Sequence, residues 1–213
     1  MQTYKHIIFD FDGTIANSVP IFLKIYNELA TEKNFKLISA ETIPQIRHLS
    51  YLKRAEYLGI PLYQIPFIIP VLYKKYKQNI QSLQAYDGIF DFLTTLHQQG
   101  FTLDIVSSNS KENILQFLDN QNFTHFKNIY CSENFMGKDK VLKKLLKATE
   151  YPLRECLYIG DENRDIEACM KISMDCAWVN WGYEDELQPQ LQYYPKGHFK
   201  TVQDLLSFIK KDS

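Results

Sequence analysis

Apolar positions follow two rhythms along this chain. Ile7 to Phe9 is an apolar run read as a strand buried on both faces, and Phe101 to Val106, Asn128 to Cys131, Cys156 to Ile159 and Cys176 to Asn180 read as further strands. Between them apolar residues recur at helical spacing: Ile89, Phe90, Phe92, Leu93 and Leu96, closed by Gly100, then Ile114, Phe117 and Leu118. Further helices are predicted over Lys140 to about Ala148, Asp165 to Lys171, and Val202 to Lys210 with Thr201 as cap. Such alternation implies a parallel sheet covered on both faces.

One block breaks the rhythm. From about residue 16 to 84 the spacing predicts helices and no strand. Ser18 is placed to cap the first, which carries Ile21, Phe22, Ile25, Tyr26 and Leu29. Others are predicted over Ala40 to Leu49, Tyr51 to Leu58 (stopped by Gly59 and Pro61), and Pro66 to Ile80, with Pro70 shifting or kinking its start. The expected fold is therefore α/β, a doubly wound parallel sheet with an all-helical cap inserted after the first strand. The core would be residues 1–15 and 85–213, the cap 16–84.

Polar chemistry gathers where the core strands end. The first runs out into Asp10, Asp12, Gly13 and Thr14, the second into Ser108 and Asn109, and the fourth into Gly160 and Asp161 with Asp165 one turn on. Lys138 lies in a loop leading into a helix, with Lys140 as the alternative cation. In an open parallel sheet these points share the edge where ligands bind. Asp10 and Asp12 lie two residues apart and repel unless a cation sits between them, and a hard divalent ion such as Mg²⁺ suits oxygen ligands.

Composition narrows the reading. The chain has 213 residues, 45% hydrophobic and 23% charged, with a formal net charge of -1. That is globular composition without general affinity for nucleic acid or anionic membranes. The four cysteines form no Cys-x-x-Cys pair and read as reduced thiols of a cytoplasmic protein. No signal peptide is evident, and the most apolar window, Ile65 to Tyr73, is too short to span a bilayer. No Gly-x-Gly-x-x-Gly follows a strand, which disfavours a dinucleotide-binding enzyme.

Taken together, Asp10-Phe11-Asp12-Gly13-Thr14, Ser108-Asn109, Lys138 and Gly160-Asp161-Glu162-Asn163-Arg164-Asp165 resemble the four motifs of the haloacid dehalogenase superfamily, in its phosphoglycolate phosphatase-like branch. The resemblance covers nearly the whole core and implies a Rossmann-like fold and a Mg²⁺-dependent phosphatase of small phosphorylated metabolites. By that resemblance Asp10 is the nucleophile, forming an aspartyl-phosphate. Asp12 protonates the leaving alkoxide, then activates water, and its carbonyl ligates the metal. Asp10 and Asp161 are metal ligands, and Asp165 ligates through water or orients the others. Ser108, the Asn109 backbone and Lys138 would hold phosphoryl oxygens, with Gly13 and Thr14 as further candidates. Asp12 argues for phosphoryl transfer, since a dehalogenase expels halide without an acid. A phosphomutase shares all four motifs and is the first alternative; a low-turnover regulatory protein is the second. The cap would close over the site and choose the substrate, with Arg47, His48, Lys53 and Arg54 as its polar candidates. Trp181-Gly182-Tyr183 is a candidate rim. The protein would act as a monomer or homodimer.

Overall fold

The computed structural model describes residues 4–47, 49–132 and 137–211. The chain divides into two compact units, Ser18–Leu83 and the pair Met1–Asn17 with Gln84–Ser213.

The first unit is helical: α1 (Val19–Lys33), α2 (Ile43–Ile46), α3 (Tyr51–Tyr57) and α4 (Ile65–Asn79). One face of α1 buries Ile25, Tyr26, Leu29 and Ala30, the spacing that the sequence predicts. Ser18 makes no side-chain cap, because Pro20 in the first turn removes an N–H that its hydroxyl would accept from. The helix expected over Ala40 to Leu49 is a single turn. Pro44 sits in its first turn, where a missing N–H costs little, and α2 begins at Ile43. Pro66 starts α4, and Pro70 lies inside it without ending it. Of the cap candidates, Arg54 turns inward, its Nε donating to the carbonyl of Ile46 at 3.0 Å and its Nη2 to that of Arg47 at 2.5 Å. His48 lies outside the described residues. Lys75 pairs with Glu28 and Glu32 at 3.2 and 3.5 Å, a solvated face.

The second unit is the α/β part. Its strands are β1 (His6–Phe9), β2 (Ala16–Asn17), β3 (Gln84–Ala85), β4 (Thr102–Ser107), β5 (Asn128–Cys131), β6 (Cys156–Gly160), β7 (Asp175–Val179) and β8 (His198–Phe199). Its helices are α5 (Ile89–Gln98), α6 (Lys111–Asn120), α7 (Lys138–Ala148), α8 (Asn163–Met170) and α9 (Val202–Lys211). Six strands form one parallel sheet in the order β5-β4-β1-β6-β7-β8. β2 and β3 pair antiparallel where the chain leaves and re-enters this unit, so residues 16, 17 and 84, expected in the helical block, are strand. Two-residue strands carry too little periodicity to be seen in sequence, and β8 was missed for the same reason.

β1 is central and wholly buried, as its unbroken apolar run requires. One face packs Ile8, Val106, Tyr158 and Cys176 against Leu142 and Leu145 of α7 and Ile166 and Cys169 of α8. On the other face Phe9 meets Phe92 of α5 edge-on at 6.0 Å, and Phe199 meets Phe208 of α9 at 5.0 Å. The chain runs outward through β1, β4 and β5, then crosses back by α7 to β6 on the far side of β1. That reversal opens a crevice at the carboxyl ends of β1, β4 and β6. All four cysteines are free thiols, and among the described residues no helix is long and apolar enough to cross a membrane.

Candidate active site

The crevice holds a buried charge cluster. Asp10, one residue past β1, is 2% exposed. Its Oδ1 accepts from the Phe11 N–H at 2.8 Å, and its Oδ2 accepts from Lys138 Nζ at 2.8 Å. Lys138 is the first residue of α7 rather than part of a preceding loop. Its ammonium is buried and also pairs with Asp165 Oδ1. Lys140 is exposed. Asp10, Glu162 and Asp165 bring carboxylate oxygens within 4.8 Å of one another.

Asp161 is oriented from two sides. Thr14 Oγ1 donates to its Oδ1 at 2.9 Å and the Tyr183 N–H to its Oδ2 at 2.7 Å. The backbone comes unusually close to it. A Cβ on Gly13 would fall 2.2 Å from Asp161 Oδ2, and one on Gly182 would fall 2.1 Å from it. Gly13 also turns through φ +81°, a conformation that costs other residues. Its N–H donates to the Ala16 carbonyl at 2.9 Å. Gly13 and Thr14 thus shape the turn and aim Asp161.

Asp12 is half-buried, and its Oδ2 accepts from Asn109 Nδ2 at 2.8 Å. The Asn109 amide is fixed by its other end, where Oδ1 accepts from the Ser110 N–H at 2.8 Å and from Asn113 Nδ2 at 2.9 Å. The Asn109 N–H, expected at a phosphoryl oxygen, donates instead to Ser107 Oγ at 3.0 Å. Asn109 therefore orients Asp12. Ser108 stands beside it at the end of β4, half-buried.

Burial dominates the electrostatics. It pushes the Asp10 carboxyl up to about 7 against the pull of Lys138, and the Asp165 charge adds to the rise. Burial likewise lifts Asp161 well above the usual carboxylate range and Glu162 to about 8. Asp10, Asp161, Glu162 and Asp165 are all buried, and the cations among them are Lys138 and Arg164. Fully ionised, these four carboxylates would carry two more charges than Lys138 and Arg164 offset. An all-oxygen donor set with that deficit fits one hard divalent cation.

Roles for Glu162 and Glu184 are not assigned from sequence. Glu162 and Asp165 form a capping box at the start of α8, each side chain accepting from the other's backbone N–H. The three-residue spacing of these acids before a helix was the available signal. Glu184 accepts from the Asn163 N–H at 2.5 Å and from Asn163 Nδ2 at 2.6 Å, tying the loop after β7 to the start of α8. In the same loop Trp181 Nε1 donates to the Thr14 carbonyl at 3.2 Å, so this tryptophan braces the turn.

The family model for haloacid dehalogenase-like hydrolase matches residues 7–179. The chain belongs to that family. It is 28% identical over 204 residues to a phosphoglycolate phosphatase of Synechococcus elongatus, covering 95% of this chain and 96% of that protein. A phosphoglycolate phosphatase of Xanthomonas campestris is 25% identical, with 86% of each chain covered. Among solved structures, a haloacid dehalogenase-like hydrolase from Streptococcus pneumoniae superposes with a TM-score of 0.81 at 21% identity, covering 98% of this chain and 99% of that one. This hydrolase therefore shares its fold across its whole length with that family.

Proposed function

We propose that this hydrolase is a Mg²⁺-dependent phosphatase of a small phosphorylated metabolite of the phosphoglycolate kind, with Asp10 as nucleophile. The observation that carries the reading is the unequal setting of two neighbouring aspartates. Asp10 is buried and clamped by Lys138 and a backbone N–H. Asp12 is half-exposed, and its Oδ2 accepts from Asn109 Nδ2 at 2.8 Å. One is set to attack, the other to exchange protons. A low-dielectric setting that fixes a nucleophile beside a cation is what phosphoryl transfer asks of a protein.

On this reading Asp10 bonds to phosphorus as the ester oxygen departs with a proton from Asp12. Asp12 then takes a proton from the water that hydrolyses the acyl-phosphate, which frees Asp10 and orthophosphate. Lys138 and Ser108 hold phosphoryl oxygens, Asn109 keeps Asp12 in place, and Thr14 aims Asp161. Asp10, Asp12 through its carbonyl, Asp161 and Asp165 would hold Mg²⁺, which supplies positive charge against the phosphoryl oxygens when bound. The inserted helical unit is carried as the cap that chooses the substrate. The name shared by the curated relatives favours phosphoglycolate, and free thiols suit a cytoplasmic enzyme.

The test is release of p-nitrophenol from its phosphate ester with and without Mg²⁺, followed by phosphate release from phosphoglycolate and a panel of sugar phosphates. Turnover should require the metal, vanish in Asp10→Asn and favour phosphoglycolate. Turnover that survives in Asp10→Asn would sink the mechanism; a sugar phosphate preferred over phosphoglycolate would sink the substrate assignment.

A further inference from the structure

Arg164 has no part in the reaction as written above, yet its place is specific. It is the second residue of α8, and its side chain is 15% exposed. Nε donates to Glu162 Oε2 at 2.6 Å, and Nη2 pairs with the same oxygen. Nη2 also donates to Ser108 Oγ at 3.4 Å. Glu162 is itself locked, since the capping box ties its carboxylate to the backbone of Asp165. A continuous strut thus runs from the start of α8 through Glu162 and Arg164 to the hydroxyl at the end of β4.

The chemistry of a hydroxyl gives that strut a consequence. An oxygen that accepts from a guanidinium turns its own proton away from that guanidinium. Arginine holds its proton throughout the working pH range, so the direction imposed on Ser108 does not vary. A phosphoryl group offers acceptors only and needs a donor facing it. We propose that Arg164 is a positioning residue that fixes the Ser108 hydroxyl as a donor towards a phosphoryl ligand, with Glu162 holding Arg164 in place. The proposal rests on the phosphatase reading.

Orthophosphate binding in the presence of Mg²⁺, measured by calorimetry, tests it without turnover. The wild type should bind orthophosphate. Arg164→Gln should weaken binding about tenfold, the size of one charge-assisted hydrogen bond, and Ser108→Ala by a similar factor. The double variant should be no weaker than either single one, because both remove the same contact. Arg164→Lys keeps the charge but cannot fork between Glu162 and Ser108, so it should behave as Arg164→Gln. In turnover, KM should rise with kcat within a few-fold of wild type.

Arg164→Gln takes the guanidinium away from the buried Glu162 carboxyl. If that variant does not fold, Glu162→Gln with Arg164→Gln replaces it in the same titration. A wild type that neither turns over phosphate esters nor binds orthophosphate overturns the phosphatase reading and this inference together. A wild type that does both, with unchanged affinity in the Arg164 variants, additive losses or full rescue by Arg164→Lys, overturns this inference alone.

Discussion

The parallel sheet carries two buried polar clusters, towards opposite ends of its strands, and they are built on opposite terms. Towards the amino end, His6 Nε2 lies 3.0 Å from Asp104 Oδ2 and His6 Nδ1 lies 3.1 Å from Thr149 Oγ1. Asp104 Oδ1 accepts from the Asn128 N–H at 2.8 Å and from Asn128 Nδ2 at 3.2 Å. Both carboxylate oxygens and both ring nitrogens have protein partners, and the network closes on itself. At the carboxyl end, four buried carboxylates share Lys138 and Arg164, and burial lifts Asp10, Asp161 and Glu162 above the usual range. A satisfied polar cluster ties elements together. A cluster short of countercharge is a place for a ligand. The difference between stability and function is thus written in whether the chain completes its own electrostatics.

The largest effect should come from removing the cation that the open cluster does possess. Lys138→Met leaves Asp10 and Asp165 buried without their partner. Breaking such a pair costs about 3–5 kcal/mol, and loss of a fixed charge facing the phosphoryl group costs roughly 10²- to 10³-fold in rate. Urea unfolding without metal and turnover with Mg²⁺ check the two halves. Loss of neither would mean that Lys138 is not part of the site.

At the closed cluster the outcome should be divided differently. Asp104→Ala strands the buried His6 ring and removes an acceptor from the exposed Asn128, costing about 1–3 kcal/mol, most of it at His6. Turnover per folded molecule should stay at the wild-type value. A large drop in kcat from this variant would erase the contrast between the two ends.

Acidity offers a smaller, graded test. In the metal-free protein Asp10 and Glu162 titrate near about 7 and about 8, against about 4 for ordinary carboxylates, because burial penalises their charge. The folded state therefore holds protons that the unfolded chain has released. Stability conferred by those protons is complete below about pH 4 and is lost as pH rises through the folded values. Considered alone, these groups should make the metal-free protein melt lower at about pH 8 than at about pH 5. Mg²⁺, which binds the deprotonated groups, should stabilise more as pH rises. Melting curves at both pH values with and without Mg²⁺ check this, and a Mg²⁺ increment that shrinks with pH would contradict it.

How much of this was legible in the sequence depended on reach along the chain. The core strands and their chemistry-bearing ends could be read because apolar runs and the Asp10-to-Thr14 stretch are local patterns. Helix α2 is shorter than the predicted Ala40 to Leu49 because Pro44 favours a helix start over a helix interior. The strut from Glu162 through Arg164 to Ser108 joins positions 56 residues apart, and nothing in either segment marks the other. Nor does spacing show that the Asn109 amide grips Asp12, or that the Thr14 hydroxyl donates to Asp161. Pairings across the crevice follow from the order of strands in the sheet, and periodicity reports strands without their order.

The smallest predicted effects compare two threonine hydroxyls, one in each cluster. Thr14 donates to Asp161, a candidate metal ligand, and Thr149 meets His6. Thr14→Val removes one of the two donors that aim Asp161 and should weaken Mg²⁺ about tenfold, as loss of a ligand's hydrogen-bond partner does. Its cost to metal-free stability should be small, since the carboxyl it leaves can hold its own proton. Thr149→Val should do the reverse, costing about 1 kcal/mol of stability for half-buried contacts to His6 and the Tyr151 N–H while Mg²⁺ affinity is unchanged. Mg²⁺ titrations of turnover and of melting temperature read both variants. Equal effects of the two substitutions on Mg²⁺ would show that the closed cluster is coupled to the open one, and the division between them would have to be abandoned.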